Sequence, residues 1–228
     1  MNPWDRLELI YGEASIDKLK NSRVMIAGLG GVGSYSAEAI ARCFVGSMTL
    51  VDFDTYDLTN LNRQLHSNHD VIGQHKVDII GNEIIRINPQ LCLTKHTVKI
   101  DSENIDDLFS NVRYDYVIDA IDDINAKLLL ADYCNKRGIS IISCMGTGNR
   151  RNPQSFAITD ISKTFNCPMA KKMRRELKRI GIEKLQVVFS KELPSKNEST
   201  NTIGSNSFVP ASAGLLLASH VINCIVER

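Results

Sequence analysis

The sequence predicts an α/β fold in which a mostly parallel sheet carries helices on both faces, and three observations lead there. An apolar run of strand length, residues 24–27, passes directly into Gly28-Leu29-Gly30-Gly31-Val32-Gly33 and then into a helical pattern. Short apolar runs then alternate with amphipathic stretches as far as residue 145, the rhythm of β-α-β units. The length, 228 residues with 43% hydrophobic content, suits one α/β domain able to bury a core.

Taken in order, residues 3–20 read as helical and lead into the first strand. Residues 34–44 form the next helix, with Ala37, Ile40, Ala41 and Phe44 on one face. A second strand, 48–53, carries Asp52 at its end. Residues 75–88 are a helix stopped by Pro89, and 91–98 a strand. The apolar run 116–121 is a strand, 125–136 a helix closed by Gly138, and 139–144 another strand. After Met145 the rhythm breaks: 156–161 and 185–189 are strands around a basic helix, and 191–207 is a polar stretch with Pro194 and Gly204, expected to be a mobile loop. The apolar tail 209–226 carries Ser212, Ser219, His220 and Asn223, so it reads as a buried or dimer-contact helix rather than a membrane span. No internal repeat is visible. The expected organisation is one domain, 1–228, with a helical arm (1–21), a nucleotide-binding core (22–145) and a substrate-side region (146–228).

The glycine turn has a Rossmann-like logic. Gly28 permits the tight turn, Gly30 lets backbone approach a ligand, and Gly33 lets helix and strand pack. Backbone N–H groups at the helix start can hold an anion without a charged side chain. Asp52 follows about twenty residues on, where a ribose-binding acid is expected. A dinucleotide enzyme would need nothing more. Here Asn60, Arg63, Lys76 and Asp122 are added, and they suit attack on the α-phosphorus of ATP by a carboxylate. Arg63 offers a planar fork for phosphate oxygens and Lys76 a point charge. Asn60 can donate to a phosphate or orient Arg63, and Asp122, just past a strand end, suits Mg²⁺, which commonly takes one or two carboxylates plus phosphates. Taken singly, each is an ordinary loop charge; together on the rim of one glycine turn they form a phosphate-handling set.

Composition excludes several classes. A formal net charge of +1 rules out a globally basic nucleic-acid binder, and nothing points to DNA or to a membrane. Residues 1–6 are polar, without the apolar segment of a signal peptide. Six cysteines without a C-x-x-C pair argue against a structural zinc site or disulfide framework and for a reduced cytoplasm. His66, His69 and His75 with Asp70 fit no familiar metal-site spacing and read as loop and helix-start residues.

Residues 28–34, Asp52-Phe53-Asp54, Asn60-Leu61-Asn62-Arg63-Gln64, Lys76 and Asp119-Ala120-Ile121-Asp122 resemble the ubiquitin-activating superfamily of adenylating enzymes. Residues 5–12, 62–66, 86–89, 116–122 and 204–210 narrow the resemblance to the tRNA threonylcarbamoyladenosine dehydratases. It implies a ubiquitin-activating-type adenylation domain, with ATP and Mg²⁺ as cofactors. Asp52 would bind the ribose, Arg63 and Lys76 the phosphates, and Asp122 the magnesium. Gly28, Gly30, Gly31, Gly33, Asp54, Asn60 and Gln64 would complete the nucleotide site. Arg6 would reach the phosphates in the other subunit of a homodimer. The substrate would be a threonylcarbamoyl carboxylate on a tRNA adenosine beside the anticodon; its adenylate would close a ring as AMP leaves. A sulfur-transfer protein is a further partner the resemblance allows.

The basic run Lys171, Lys172, Arg174, Arg175, Lys178 and Arg179, opposed only by Glu176, shares a short helix with apolar Met173, Leu177 and Ile180, so its cations are expected to face outwards together and to contact tRNA phosphates. Arg150 and Arg151 could extend that patch. Of the cysteines, Cys167, just before Pro168, is the candidate nucleophile should a thiol act after adenylation, and Cys144 is expected to be buried. The leading alternative is an adenylyltransferase that activates the C-terminal glycine of a ubiquitin-like sulfur-carrier protein; the absence of paired C-x-x-C ligands weighs against it. A nicotinamide-dependent dehydrogenase would leave Arg63, Lys76 and Asp122 without a role. A non-catalytic partner subunit would not be expected to keep the whole phosphate set.

Overall fold

A computed structural model describes residues 2–195 and 202–227. Its elements are α1 (Asp5–Tyr11), α2 (Glu13–Lys20), β1 (Arg23–Ala27), α3 (Gly33–Arg42), β2 (Ser47–Val51), α4 (Lys76–Ile87), β3 (Cys92–His96), α5 (Ile105–Phe109), β4 (Tyr116–Asp119), α6 (Ile124–Arg137), β5 (Ile141–Cys144), β6 (Phe156–Asp160), α7 (Pro168–Arg179), β7 (Gln186–Ser190) and α8 (Phe208–Val226). The strands make one seven-stranded sheet in the order β3-β2-β1-β4-β5-β7-β6. All neighbours pair parallel except β6, which runs antiparallel to β7 at the edge. The expected α/β architecture is therefore present.

The parallel strands are apolar throughout because both sheet faces are covered. Successive side chains of β1 divide between two cores: Val24 and Ile26 join α2, α3, α4 and α8, whereas Met25 and Ala27 join α5 and α6. A third core forms where α7 packs against β7 and α6. Helix α8 is long and apolar enough to cross a membrane by length and composition. It is instead a core helix, with Val209, Ala213, Leu217, Val221 and Ile225 buried against the sheet and α3.

Element boundaries differ from expectation for local reasons. The N-terminal helical stretch is two helices, because Gly12 sits at φ +82°, outside the helical region. Helix α3 stops at Arg42, and Phe44 is left-handed (φ +56°). Strand β4 ends at Asp119, two residues early, where the chain turns to carry Asp122 over the sheet edge. The five-residue α5 was not expected; it is too short to show a period. Of the polar stretch 191–207, residues 196–201 lie outside the described residues, and the remainder has neither helix nor strand.

His66, His96 and His220 are each held below the ordinary histidine value by burial; Glu38 beside His66 and Glu227 near His220 pull weakly the other way. The unfolded chain therefore binds more protons than the folded one as pH falls through about 6.5, so stability should decrease on acidification through that window and show no histidine contribution above it. Denaturant melts at pH 7.5, 6.5 and 5.5 would check this; a flat profile would contradict it.

Candidate active site

The carboxyl ends of the parallel strands open into a cleft of about 570 Å³. It lies where the strand order reverses, β1 having β2 on one side and β4 on the other, the usual binding position in open α/β sheets. Gly28, Gly30, Gly31, Asp52, Asp54, Asn60, Arg63, Gln64, Lys76 and Asp122 all line it. Gly33 does not. It is buried behind the turn, where a Cβ would stand 1.8 Å from the Gly28 carbonyl oxygen, so its part is close packing rather than ligand contact. Gly28, at φ +85°, rests against the Ala120 backbone, 2.7 Å from where its Cβ would be. The glycine turn is thus seated on the end of β4.

Asp52 organises the turn. Its Oδ2 accepts from the Leu29 N–H (2.5 Å) and its Oδ1 from the Asp54 N–H (2.8 Å). Each oxygen keeps a further lone pair, as a ribose-binding acid requires. Burial pushes the carboxyl above its ordinary range, opposed by those two N–H groups and by Lys76.

The cations are held by their own neighbours. Lys76 is 4% exposed at the start of α4, and its Nζ lies 2.8 Å from Asp54 Oδ2. Arg63 Nη1 donates to the Thr59 carbonyl (2.6 Å) and to Asn62 Oδ1 (3.0 Å). Asn60 builds the turn that presents it: its Oδ1 accepts from the Asp57 N–H, and its carbonyl from the Arg63 and Gln64 N–H groups. Gln64 lines the cleft, and its Oε1 is buried without a partner among the described residues. Asp122, exposed on the opposite rim, has no hydrogen bond or ion pair to another described residue.

Other expected residues stand elsewhere. Arg6 is exposed on α1 and does not line the cleft of its own chain. Cys167 is 5% exposed, accepts weakly from the Ala170 N–H at the start of α7, and lines a separate cavity. Cys144 is buried, its thiol pushed up to about 12. The six basic residues share α7 but not one state. Arg174 turns inward to Thr164 (2.7 and 3.0 Å), and Arg175 and Arg179 pair with Glu176. Lys171, Lys172 and Lys178 project from α7 without a partner among the described residues. Arg150 corrects an expectation: it is 3% exposed and donates to the Gly146, Glu192 and Asn166 carbonyls, so it clamps three loops instead of widening a surface patch. Among the described residues, no group of three or more His, Cys, Asp or Glu could hold a metal.

One arrangement escaped the sequence reading. Asp119 and Lys127 form an ion pair with both side chains fully buried, Nζ 3.0 Å from the carboxylate. Ser143 of β5 and the Ile121 N–H also donate to Asp119, and Lys127 donates to the Ile121 carbonyl (2.9 Å). The signal was present: Lys127 lies at helical spacing from Leu130, Ala131 and Cys134, on a stripe otherwise without charge.

With this geometry in view, residues 5–228 match the model of the ThiF family. The chain belongs to the ThiF family. Its relatives include the tRNA threonylcarbamoyladenosine dehydratase of Bacillus subtilis, 41% identical over 97% of this chain and 94% of that protein. The Escherichia coli protein of the same name is 31% identical over 96% of this chain and 91% of that one. Among solved structures, E. coli tRNA N6-threonylcarbamoyladenosine dehydratase in complex with ATP superposes with a TM-score of 0.92 at 31% identity, covering 99% of this chain and 94% of that one. In this ThiF-family chain the buried Asp119–Lys127 pair underlies the cleft. Lys127→Met should lower unfolding free energy by about 3–5 kcal/mol in denaturant melts, because it strands a buried carboxylate. Asp119→Asn in the same chain should recover a large part of that loss, giving a coupling that a double-mutant cycle detects.

Proposed function

We propose that the chain is an ATP-dependent tRNA threonylcarbamoyladenosine dehydratase. The observation that carries the reading is its end-to-end similarity to proteins of that name, together with a cleft that assembles the phosphate-handling residues. In this reading the substrate carboxylate attacks the α-phosphorus of ATP and pyrophosphate leaves. A nucleophilic atom of the same substituent then attacks the acyl carbon, the ring closes, and AMP departs. AMP is a better leaving group than hydroxide, and a tethered nucleophile has a high effective concentration, so no protein nucleophile is needed. This chemistry requires neither Cys167 nor a sulfur-transfer partner.

Asp52 takes the ribose hydroxyls, and the N–H groups of the glycine turn, Arg63 and Lys76 take the phosphates. Asp54 aims Lys76 into the cleft, while Asn60 and Gln64 shape the wall opposite. Asp122 fits a magnesium ion, being a cleft-facing carboxylate with no protein partner among the described residues. Such an ion, when bound, supplies positive charge to the departing pyrophosphate.

Arg6, Leu9 and Ile10 lie on one face of α1 by their i, i+3, i+4 spacing, and Leu9 and Ile10 are 87% and 76% exposed. A second copy of the chain covering this face would remove that apolar surface from water and carry Arg6 towards the neighbouring cleft. Lys171, Lys172 and Lys178 are the cations free to meet tRNA phosphates. The six thiols, none in a disulfide, suit a reducing cytoplasm. Activation of a carrier protein's C-terminal glycine would use the same phosphate residues; the dehydratase reading is preferred because the similarity runs the length of both chains.

Release of AMP and pyrophosphate should require tRNA bearing threonylcarbamoyladenosine and should fall about 10²–10³-fold in Arg63→Ala. Turnover with a protein ending in glycine, and not with the tRNA, would favour the carrier alternative. Arg6→Ala should lower kcat with ATP affinity retained, and Leu9→Asp should give monomers by light scattering; a monomeric parent protein would dismiss the shared site.

A further inference from the structure

A second cavity, about 1130 Å³, lies beside the cleft and shares no lining residue with it. The two share a wall. Thr147 lines the cleft, while its neighbours Gly146 and Gly148 line the second cavity; Ser205 and Ile203 divide in the same way, so the loop after β5 and residues 203–205 stand between the two. On its other side the cavity merges with the α7 surface through Lys171 and Arg174.

Its lining combines an aromatic platform with positive charge. Phe165 is 51% exposed. Its ring is fixed from behind by the buried Phe189, edge to face at 5.4 Å. The next residue, Asn166, is left-handed (φ +54°) and tied on both sides: its Nδ2 donates to the Lys191 carbonyl, and its own carbonyl accepts from Arg150. Phe165 is therefore a half-exposed ring, braced by Phe189, that lines the cavity. Beneath it the Arg150 guanidinium is buried against neutral carbonyls, with no carboxylate paired to it among the described residues. Lys171, without a partner among the described residues, adds a cation at the rim.

Resting on the dehydratase reading, we propose that this cavity receives the purine base carrying the reacting carboxylate, stacked on Phe165, with the flanking RNA phosphates drawn to Lys171 and α7. An unpaired base offers a flat face for an aromatic ring and phosphates for cations, and this cavity places both kinds of group side by side. The substituent then crosses the Gly146–Gly148 loop into the cleft, so its carboxylate meets the α-phosphate while the base stays outside. An extended peptide tail would call for free backbone partners along its path. Asn149, the residue best placed to offer them, already exchanges its N–H and side-chain oxygen with Gly204 and its carbonyl with the Ser195 N–H.

The test begins with wild-type protein, ATP and tRNA bearing threonylcarbamoyladenosine. Phe165→Ala should raise KM for that tRNA by roughly 5- to 150-fold, the range for loss of one base stack. ATP affinity should be unchanged and the protein should stay folded by circular dichroism, and Phe165→Trp should restore KM. Ultraviolet cross-linking of the wild-type complex, with peptides mapped by mass spectrometry, should join the Phe165 peptide to the modified adenosine. Wild-type turnover of the tRNA together with an unaltered KM in Phe165→Ala, or cross-links confined to α7, would overturn the proposal and leave the dehydratase reading standing. Absence of wild-type turnover on this tRNA would remove both.

Discussion

A lysine with none of its surface exposed stays charged inside an apolar core only if its neighbours replace the water it has given up. Lys127 meets that condition with the Asp119 carboxylate and the Ile121 carbonyl, and Asp119 is completed by Ser143 and a backbone N–H. The pair joins the ends of β4 and β5 to α6. What it holds in place is the turn 119–122, and two parts of the cleft depend on that turn. Gly28 is seated on Ala120, and Asp122 projects from the other end of the same four residues. Desolvating two ions is expensive, and hydrophobic replacements of similar volume are often no less stable. The rationale for an ion pair here is directional: it draws a backbone carbonyl and an N–H into a defined turn, which an aliphatic pair could not do.

Around this turn the cleft is a balance of opposite charges before any ligand arrives. Asp52 is partly satisfied by two backbone N–H groups, and Lys76 by Asp54. Neither is fully neutralised, since a carboxylate and an ammonium each have further hydrogen-bonding capacity. Pre-set in this way, the groups need little rearrangement when a nucleotide binds, and fixed dipoles in a partly dry site act more strongly than mobile ones in water.

Beyond the cleft the same distinction, between charges committed inside the fold and charges left free, separates structure from recognition. Arg150 and Arg174 are committed, one clamping three loops and the other bonded to Thr164. Lys171, Lys172 and Lys178 are free on the outer side of α7. Counting basic residues along the chain could not tell these apart, because Arg174 and the three free lysines share one helix.

Much was nevertheless legible in the sequence. Hydrophobic period, glycine spacing and turn residues located β1, β2, β4, α3, α4 and α6 to within a few residues, since these depend on local chemistry and on burial of both sheet faces. Ten residues named for the site converge on one cleft, because a glycine turn, a strand-end acid and a strand-end carboxylate are brought together by the parallel topology itself. Only the tertiary structure decided the rest. That Lys127 lies beneath the turn, that Arg150 is interior and that Phe165 lines a cavity all follow from contacts between segments distant in sequence. Local pattern sets which face of an element is apolar, but which partner a polar side chain finds is settled only when the layers close.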